Sequence, residues 1–147
     1  MNIQTAPSIT VAEFEDLLDQ GAPFTRMFGF QVDRIDRGTA RVIMPFKEEF
    51  VRPGGTISGP AIMSLADFTM YAVVLGMIGP VELAVTTNLN VNFLRRPPPG
   101  PLIADGRMMK LGKRLAVVEV NVAGEDDGGP IAHVTGTYSI PPTDRRR

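Results

Sequence analysis

The chain has no cysteine and only one histidine among its 147 residues. Without cysteine there is no disulfide, no thiolate nucleophile and no cysteine metal cage, which suits a reducing compartment. With His133 alone, a histidine-rich metal site is implausible, and no metal or cofactor is expected. Net charge is also scarce: 15 basic and 16 acidic side chains leave −1. The molecule as a whole therefore lacks the positive field that holds nucleic acid, and any basic contact must be local. Residues 1–10 carry no basic residue and no apolar core, so no secretory or organellar leader is expected and a cytoplasmic location follows. Residues 60–80 are mostly apolar and about as long as a membrane span. Asp67 at their centre would cost about 2.5 to 3.5 kcal/mol there, so a buried helix of a soluble protein is the reading, with no membrane partner.

What is present describes an ordinary globular protein, with 44% hydrophobic and 21% charged residues, which excludes disorder and collagen-like structure. The length matches one domain over 1–147, with residues 1–23 an N-terminal extension bearing a short helix and 141–147 a flexible tail. Thr10 and Glu13 have capping-box spacing ahead of Phe14, Leu17 and Leu18, which predicts an amphipathic helix over 11–20. Residues 30–44 read as one bent strand or a hairpin. A Pro- and Gly-rich loop over 51–58 leads to a long helix over 59–77, with Pro60 in its first turn, where a missing N–H costs least. The period then switches to two. Thr86, Asn88, Asn90 and Asn92 fall on one strand face and Thr87, Leu89, Val91 and Phe93 on the other, an assignment that a bulge would exchange for Thr86 and Thr87. A proline-rich turn over 95–101 precedes strands at 102–111, 115–123 and 131–140. Four strands with short connections predict an antiparallel meander. A helix apolar on nearly every side needs cover on several faces, so the fold class is α+β, a curved antiparallel sheet around one helix, with a second copy covering what remains.

Asp67 is the one strong charge between Pro60 and Val81, and a buried carboxylate requires partners or a task. Just upstream, residues 54–59 form a glycine-rich approach to the free N–H groups of the long helix, a terminus suited to stabilising an oxyanion. The remaining chemistry-bearing side chains read as ordinary structure when taken singly: Ser58 as a helix N-cap, His133 as a polar strand residue, and Met63, Met70 and Met77 as core.

Pro53-Gly54-Gly55-Thr56-Ile57-Ser58-Gly59-Pro60, followed by Ser64-Leu65-Ala66-Asp67, resembles the signature of hotdog-fold thioesterases of the phenylacetate-degradation (PaaI-like) type. That signature has an Asn, then Gly-Thr, then His-Gly-Gly, and an Asp eight residues after the first of those two glycines. The runs 88–94 and 110–116 match as well, so the likeness spans roughly residues 24–140. Here Arg52 stands where the family has Asn, Ser58 where it has His, and Pro60 where it has the second glycine. The resemblance implies hydrolysis of an acyl-coenzyme A thioester. Asp67 matches the catalytic acid residue, as general base or nucleophile; Gly59 matches the oxyanion N–H donor, and Thr86 the residue that orients the attacking water. Arg52 and Ser58 are candidate substrate contacts, and Arg95, Arg96, Lys113 and Arg114 fall where similar proteins meet the coenzyme A phosphates. Gly59 and Asp67 are about 12 Å apart along one helix, beyond the reach of a single carbonyl. Two helices paired antiparallel across a twofold axis would bring one copy's Asp67 to the other's Gly59, so a homodimer, or a dimer of dimers, is expected to be obligatory. Two alternatives on the same fold are a dehydratase, which wants a catalytic histidine that His133 does not supply, and a non-catalytic acyl-CoA or aromatic-ligand binder.

Overall fold

A computed structural model describes residues 5–126 and 128–145. The helix α1 (Val11–Gly21) begins at the expected capping box: Thr10 Oγ1 accepts from the Glu13 N–H, and Glu13 reaches back to the Thr10 N–H. The helix α2 (Gly59–Ile78) starts at Ser58, whose side chain caps the Ala61 N–H, and stops at Gly79, where a φ of 88° suits a residue without Cβ. Around α2 lie β1 (Gln31–Asp36), β2 (Thr39–Met44), β3 (Val85–Phe93), β4 (Leu102–Leu111), β5 (Leu115–Gly124) and β6 (Pro130–Ser139). Residues 30–44 resolve as the β1–β2 hairpin.

The strands form one sheet in the order β1-β2-β4-β5-β6-β3, every pair antiparallel. Only β4, β5 and β6 form the expected meander. Strand β3 pairs with β6 at the far edge, three strand positions from β4. Crossing that gap takes about 14 Å at strand spacing, too far for a hairpin turn but within reach of residues 95–101, whose four prolines favour an extended path and supply no N–H to a ladder.

Helix α2 touches all six strands, as the curled hotdog arrangement requires, and twelve of its residues are buried, from Ala61 to Gly76. Close approach relies on absent side chains. A Cβ on Gly106 of β4 would come within 2.8 Å of Val73 Cγ2, and one on Gly76 within 2.9 Å of Ile35 Cγ2. Although α2 is long and apolar enough to cross a membrane, 67% of its most apolar stretch is buried in the core. Met70 is fully buried, Met77 partly so, and Met63 is 39% exposed, so the seven-residue spacing marks a core face at one position only. The segment before α1 is tied in: the Ser8 N–H and hydroxyl donate to Gly76 O and Met77 O at the C-terminal end of α2, and Ile9 is buried. Beyond β6, where no structure was expected, Thr143–Arg145 forms a 3₁₀ turn after two prolines that preset φ; residues 146 and 147 lie outside the described ones.

The sheet face turned away from α2 is lined with cross-strand ion pairs. Arg41 of β2 pairs with Asp105 of β4 at 2.8 Å, Arg107 of β4 with Glu119 of β5 at 2.8 Å, and His133 Nε2 of β6 meets the other Glu119 oxygen at 3.0 Å. The hydrogen bond to His133, then that to Arg107, holds the Glu119 carboxyl below its ordinary value of 4.5. A depressed folded-state value stabilises the protein above the unfolded pKa and is lost as pH falls through the folded one. Glu119→Gln should therefore flatten the loss of unfolding free energy as pH falls below the ordinary value of 4.5, read by urea denaturation on the acid side of that value; an unchanged slope would show that the pair adds nothing.

Candidate active site

Asp67 lies midway along α2, half-buried, on the wall of a cavity of about 260 Å³. Two hydroxyls converge on its Oδ1. Thr86 Oγ1 of β3 donates at 2.6 Å, and Tyr138 Oη of β6 lies at 2.6 Å, also reaching the Asp67 carbonyl at 2.9 Å. Among the described residues Oδ2 has no hydrogen-bond partner. One carboxylate oxygen is thus pinned, and the other is left free for chemistry. Burial, then the Asp67 charge and hydrogen bond, pushes the Tyr138 phenol well above its ordinary range, so it remains a neutral donor. Burial, then Glu82, likewise lifts Tyr71, another wall residue, to about 12.

Thr86 faces inward because the pairing of β3 with β6 shifts between Thr86 and Asn88. The bulge at Thr87 puts Thr86 on the same side as half-buried Leu89 and Val91, leaving Asn88, Asn90 and Asn92 exposed. Tyr138 was not among the sequence candidates. It shares the inward alternation of Ala132, Val134 and Gly136 and sits opposite Thr86 in the ladder. The available signal was a phenol on a buried strand face, which needs a hydrogen-bond partner, in a chain with one lone acid in its apolar helix.

Gly59 opens α2 about two turns before Asp67 and is not among the residues that line the cavity. Of the first four backbone positions in that helix, Pro60 has no N–H, the Ser58 hydroxyl takes that of Ala61, and the Ser58 carbonyl takes that of Ile62. The Gly59 N–H is the donor left over. The Phe93 ring packs against it, 3.3 Å from where a Cβ would be. Arg52 is exposed in the preceding loop.

The four basic candidates do not gather in one protomer. Arg95 and Arg96 follow β3 beside Ile131, at the start of β6, whereas Arg114 donates from Nε to Ile140 O past its end. The two pairs are about 30 Å apart along that strand. Arg95 is committed to Asp126, at 2.9 Å, and to Gly129 O, and this contact holds the Asp126 carboxyl below its usual range. Arg96 and Lys113 are exposed. The pairing of Thr86 with Tyr138 and of Ala116 with Tyr138 puts Asp67 at the Lys113–Arg114 end, while Gly59, beside Phe93, lies at the Arg95–Arg96 end.

Comparison with known proteins identifies the family. The model of the thioesterase superfamily matches residues 54–131. A provisionally named esterase of Saccharolobus solfataricus is 30% identical over 135 residues, covering 91% of this chain and 87% of its own length. One from Thermoplasma acidophilum is 33% identical over 117 residues, covering 80% and 87%. Among solved structures, a provisionally described thioesterase from Silicibacter sp. TM1040 is 37% identical with a TM-score of 0.81, over 92% of this chain and 96% of that one. A mutant form of the phenylacetic acid degradation protein PaaI from Thermus thermophilus is 26% identical with a TM-score of 0.72, over 81% and 99%. The matched stretch covers more than half of the sequence and includes Gly59, Asp67 and Thr86, so the chain belongs to the thioesterase superfamily, and its activity is that of an ester- or thioester-cleaving hydrolase.

Proposed function

We propose that the protein hydrolyses acyl-coenzyme A thioesters in the cytoplasm as a homodimer, or a dimer of dimers, with Asp67 as the acid–base or nucleophilic group. The observation that carries this reading is the Asp67 carboxylate, pinned at Oδ1 by Thr86 and Tyr138 with Oδ2 free beside an apolar cavity. Oδ2 either draws the proton from a water that attacks the thioester carbonyl carbon or attacks that carbon itself. With water as the nucleophile, the C–S bond breaks, the thiolate takes up the proton that Asp67 drew off, and the acyl group leaves as a carboxylate. With Asp67 as the nucleophile, loss of the thiolate leaves an acyl–Asp67 anhydride, which a water then hydrolyses to the carboxylate and free Asp67. In this scheme Thr86 holds the carboxylate, and the Gly59 N–H stabilises the oxyanion.

A second copy supplies what one protomer separates. Strand β3 is a sheet edge, and large apolar side chains stand exposed around it: Val85 at 57%, Phe93 at 53% and Met63 of α2 at 39%. Pairing that edge with itself about a twofold axis would set the Asp67 end of one protomer against the Gly59 end of its partner, bringing Arg52 and Arg96 toward the coenzyme A phosphates. Arg95 would reach phosphate only by leaving Asp126, so its role here is to tie Asp126 and Gly129 together.

The test is thiol release from short, medium, long and aryl acyl-coenzyme A, with sizing of the protein over a dilution series. Turnover per protomer should fall together with the dimer fraction. Saturable binding without thiol release would instead make the protein an acyl-CoA binder, and full activity in a dilute monomer would sink the shared site.

A further inference from the structure

The cavity at Asp67 is built only in part by the stretch that matches the family model. Its outer wall comes from residues 18–25, ahead of residue 54. Leu18 and Ala22 lie at the end of α1, and Phe24 and Thr25 in the 3₁₀ turn Pro23–Met27. Phe30, Phe68, Tyr71, Ala84 and Val85 add to the apolar lining. That turn is held by several contacts. Phe28 stacks on Phe30, with centroids 5.0 Å apart, and packs against Phe50; Thr25 Oγ1 donates to Ala22 O, and Lys47 Nζ to Met27 O. Phe24 nevertheless remains 63% exposed, a large apolar ring at the margin of a cavity that ends on a reactive carboxylate. A bound apolar group would cover it. The ionisable groups on the wall are Asp67, Glu82 and two tyrosines kept neutral, and among the described residues of the protomer no lysine, arginine or histidine lines it.

We propose that this N-terminal wall is the acyl selector: the cavity receives an uncharged acyl group, and Leu18, Ala22 and Phe24 set the length it accepts. The inference rests on the thioesterase reading and adds to it the chemical class of the acyl group. With acid on the wall and no cation, an acyl group ending in a second carboxylate is repelled and left unpaired. A wall of packed side chains discriminates by about tenfold or more for each methylene it cannot house.

The experiment measures kcat/KM for straight-chain substrates from acetyl- to palmitoyl-coenzyme A, and for succinyl- against butyryl-coenzyme A. Binding of the matching non-hydrolysable thioethers is measured alongside. Ala22→Leu should lower the ratio of the longest accepted chain to acetyl by about tenfold or more, while Leu18→Ala and Phe24→Ala should move the optimum to longer chains. Met27→Ala, in the same 3₁₀ turn but off the wall and 71% exposed, should leave the profile unmoved; thermal unfolding reports whether each variant is folded. Parallel chain-length profiles in all variants, a shift in Met27→Ala equal to the others, or succinyl-coenzyme A handled as well as butyryl would overturn the proposal. A wild type that releases no thiol would defeat the hydrolase mechanism alone, because thioether affinity would still show whether the wall selects length.

Discussion

Asp67→Asn should lower kcat for thioester hydrolysis by about 10²- to 10⁴-fold, the usual worth of a positioned acid–base group, with little change in KM. Asparagine keeps an oxygen where Thr86 and Tyr138 meet Oδ1, so the site retains its shape and loses charge and basicity. Alanine is the poorer choice, because it takes the side-chain acceptor from both hydroxyls: Tyr138 still has the main-chain carbonyl of residue 67, but Thr86 loses its partner and the site loses its shape. Tyr138→Phe keeps the carboxylate and removes one donor, so its effect on kcat should be smaller than that of Asp67→Asn. Steady-state kinetics on the best substrate reads all three. Retention of near-wild-type kcat in Asp67→Asn would remove Asp67 from the chemistry.

The largest loss of stability is expected at Phe14. Its side chain is fully buried, with ring centroids 5.6 Å from Phe68 and 5.7 Å from Tyr71, so it fastens α1 to α2. Phe14→Ala removes the ring and leaves a cavity that β-sheet and helix close only in part, a cost of about 3 to 5 kcal/mol. Against a total of about 5 to 15 kcal/mol for a typical domain, that is a large fraction. Chemical denaturation should show a lowered midpoint with an unchanged slope. Since α1 also bears Leu18, the variant should lose discrimination among acyl groups at temperatures where it is still folded. A drop below about 1 kcal/mol would mean that the site collapses around the gap.

The helices were legible because their signals are local. Thr10 with Glu13, and Ser58 with Pro60 and Gly79, act within one turn, and the lone charge of Asp67 stands out against an apolar stretch at any register. Strand pairing was not legible in the same way. Alternation identifies 85–93 as a strand but does not say which neighbour it takes, and here the partner is β6, more than forty residues on, rather than β4. The same distance hid Tyr138, whose hydroxyl crosses 71 positions to reach Asp67. One inserted residue at Thr87 decided which threonine faces the carboxylate, a shift that periodicity can name only as an option. The basic residues are a separate case: type and turn placement nominate Arg95, Arg96, Lys113 and Arg114 as phosphate contacts, and only the ladder shows that within one protomer they stand at opposite ends of β6, with Asp126 taking Arg95. The N-terminal wall had no motif, because apolar side chains that line a hollow read like any others in a core.

The outer border of β3 would have a cost for any attempt to split the proposed dimer. Over nine residues, from Val85 to Phe93, the main-chain donors and acceptors that face away from β6 offer a template on which other extended chains can add. A variant engineered to stay single would more readily precipitate or form fibrils than persist as a soluble half-enzyme. Introducing lysine along that border, rather than merely weakening the contact, is the route to a well-behaved lone subunit.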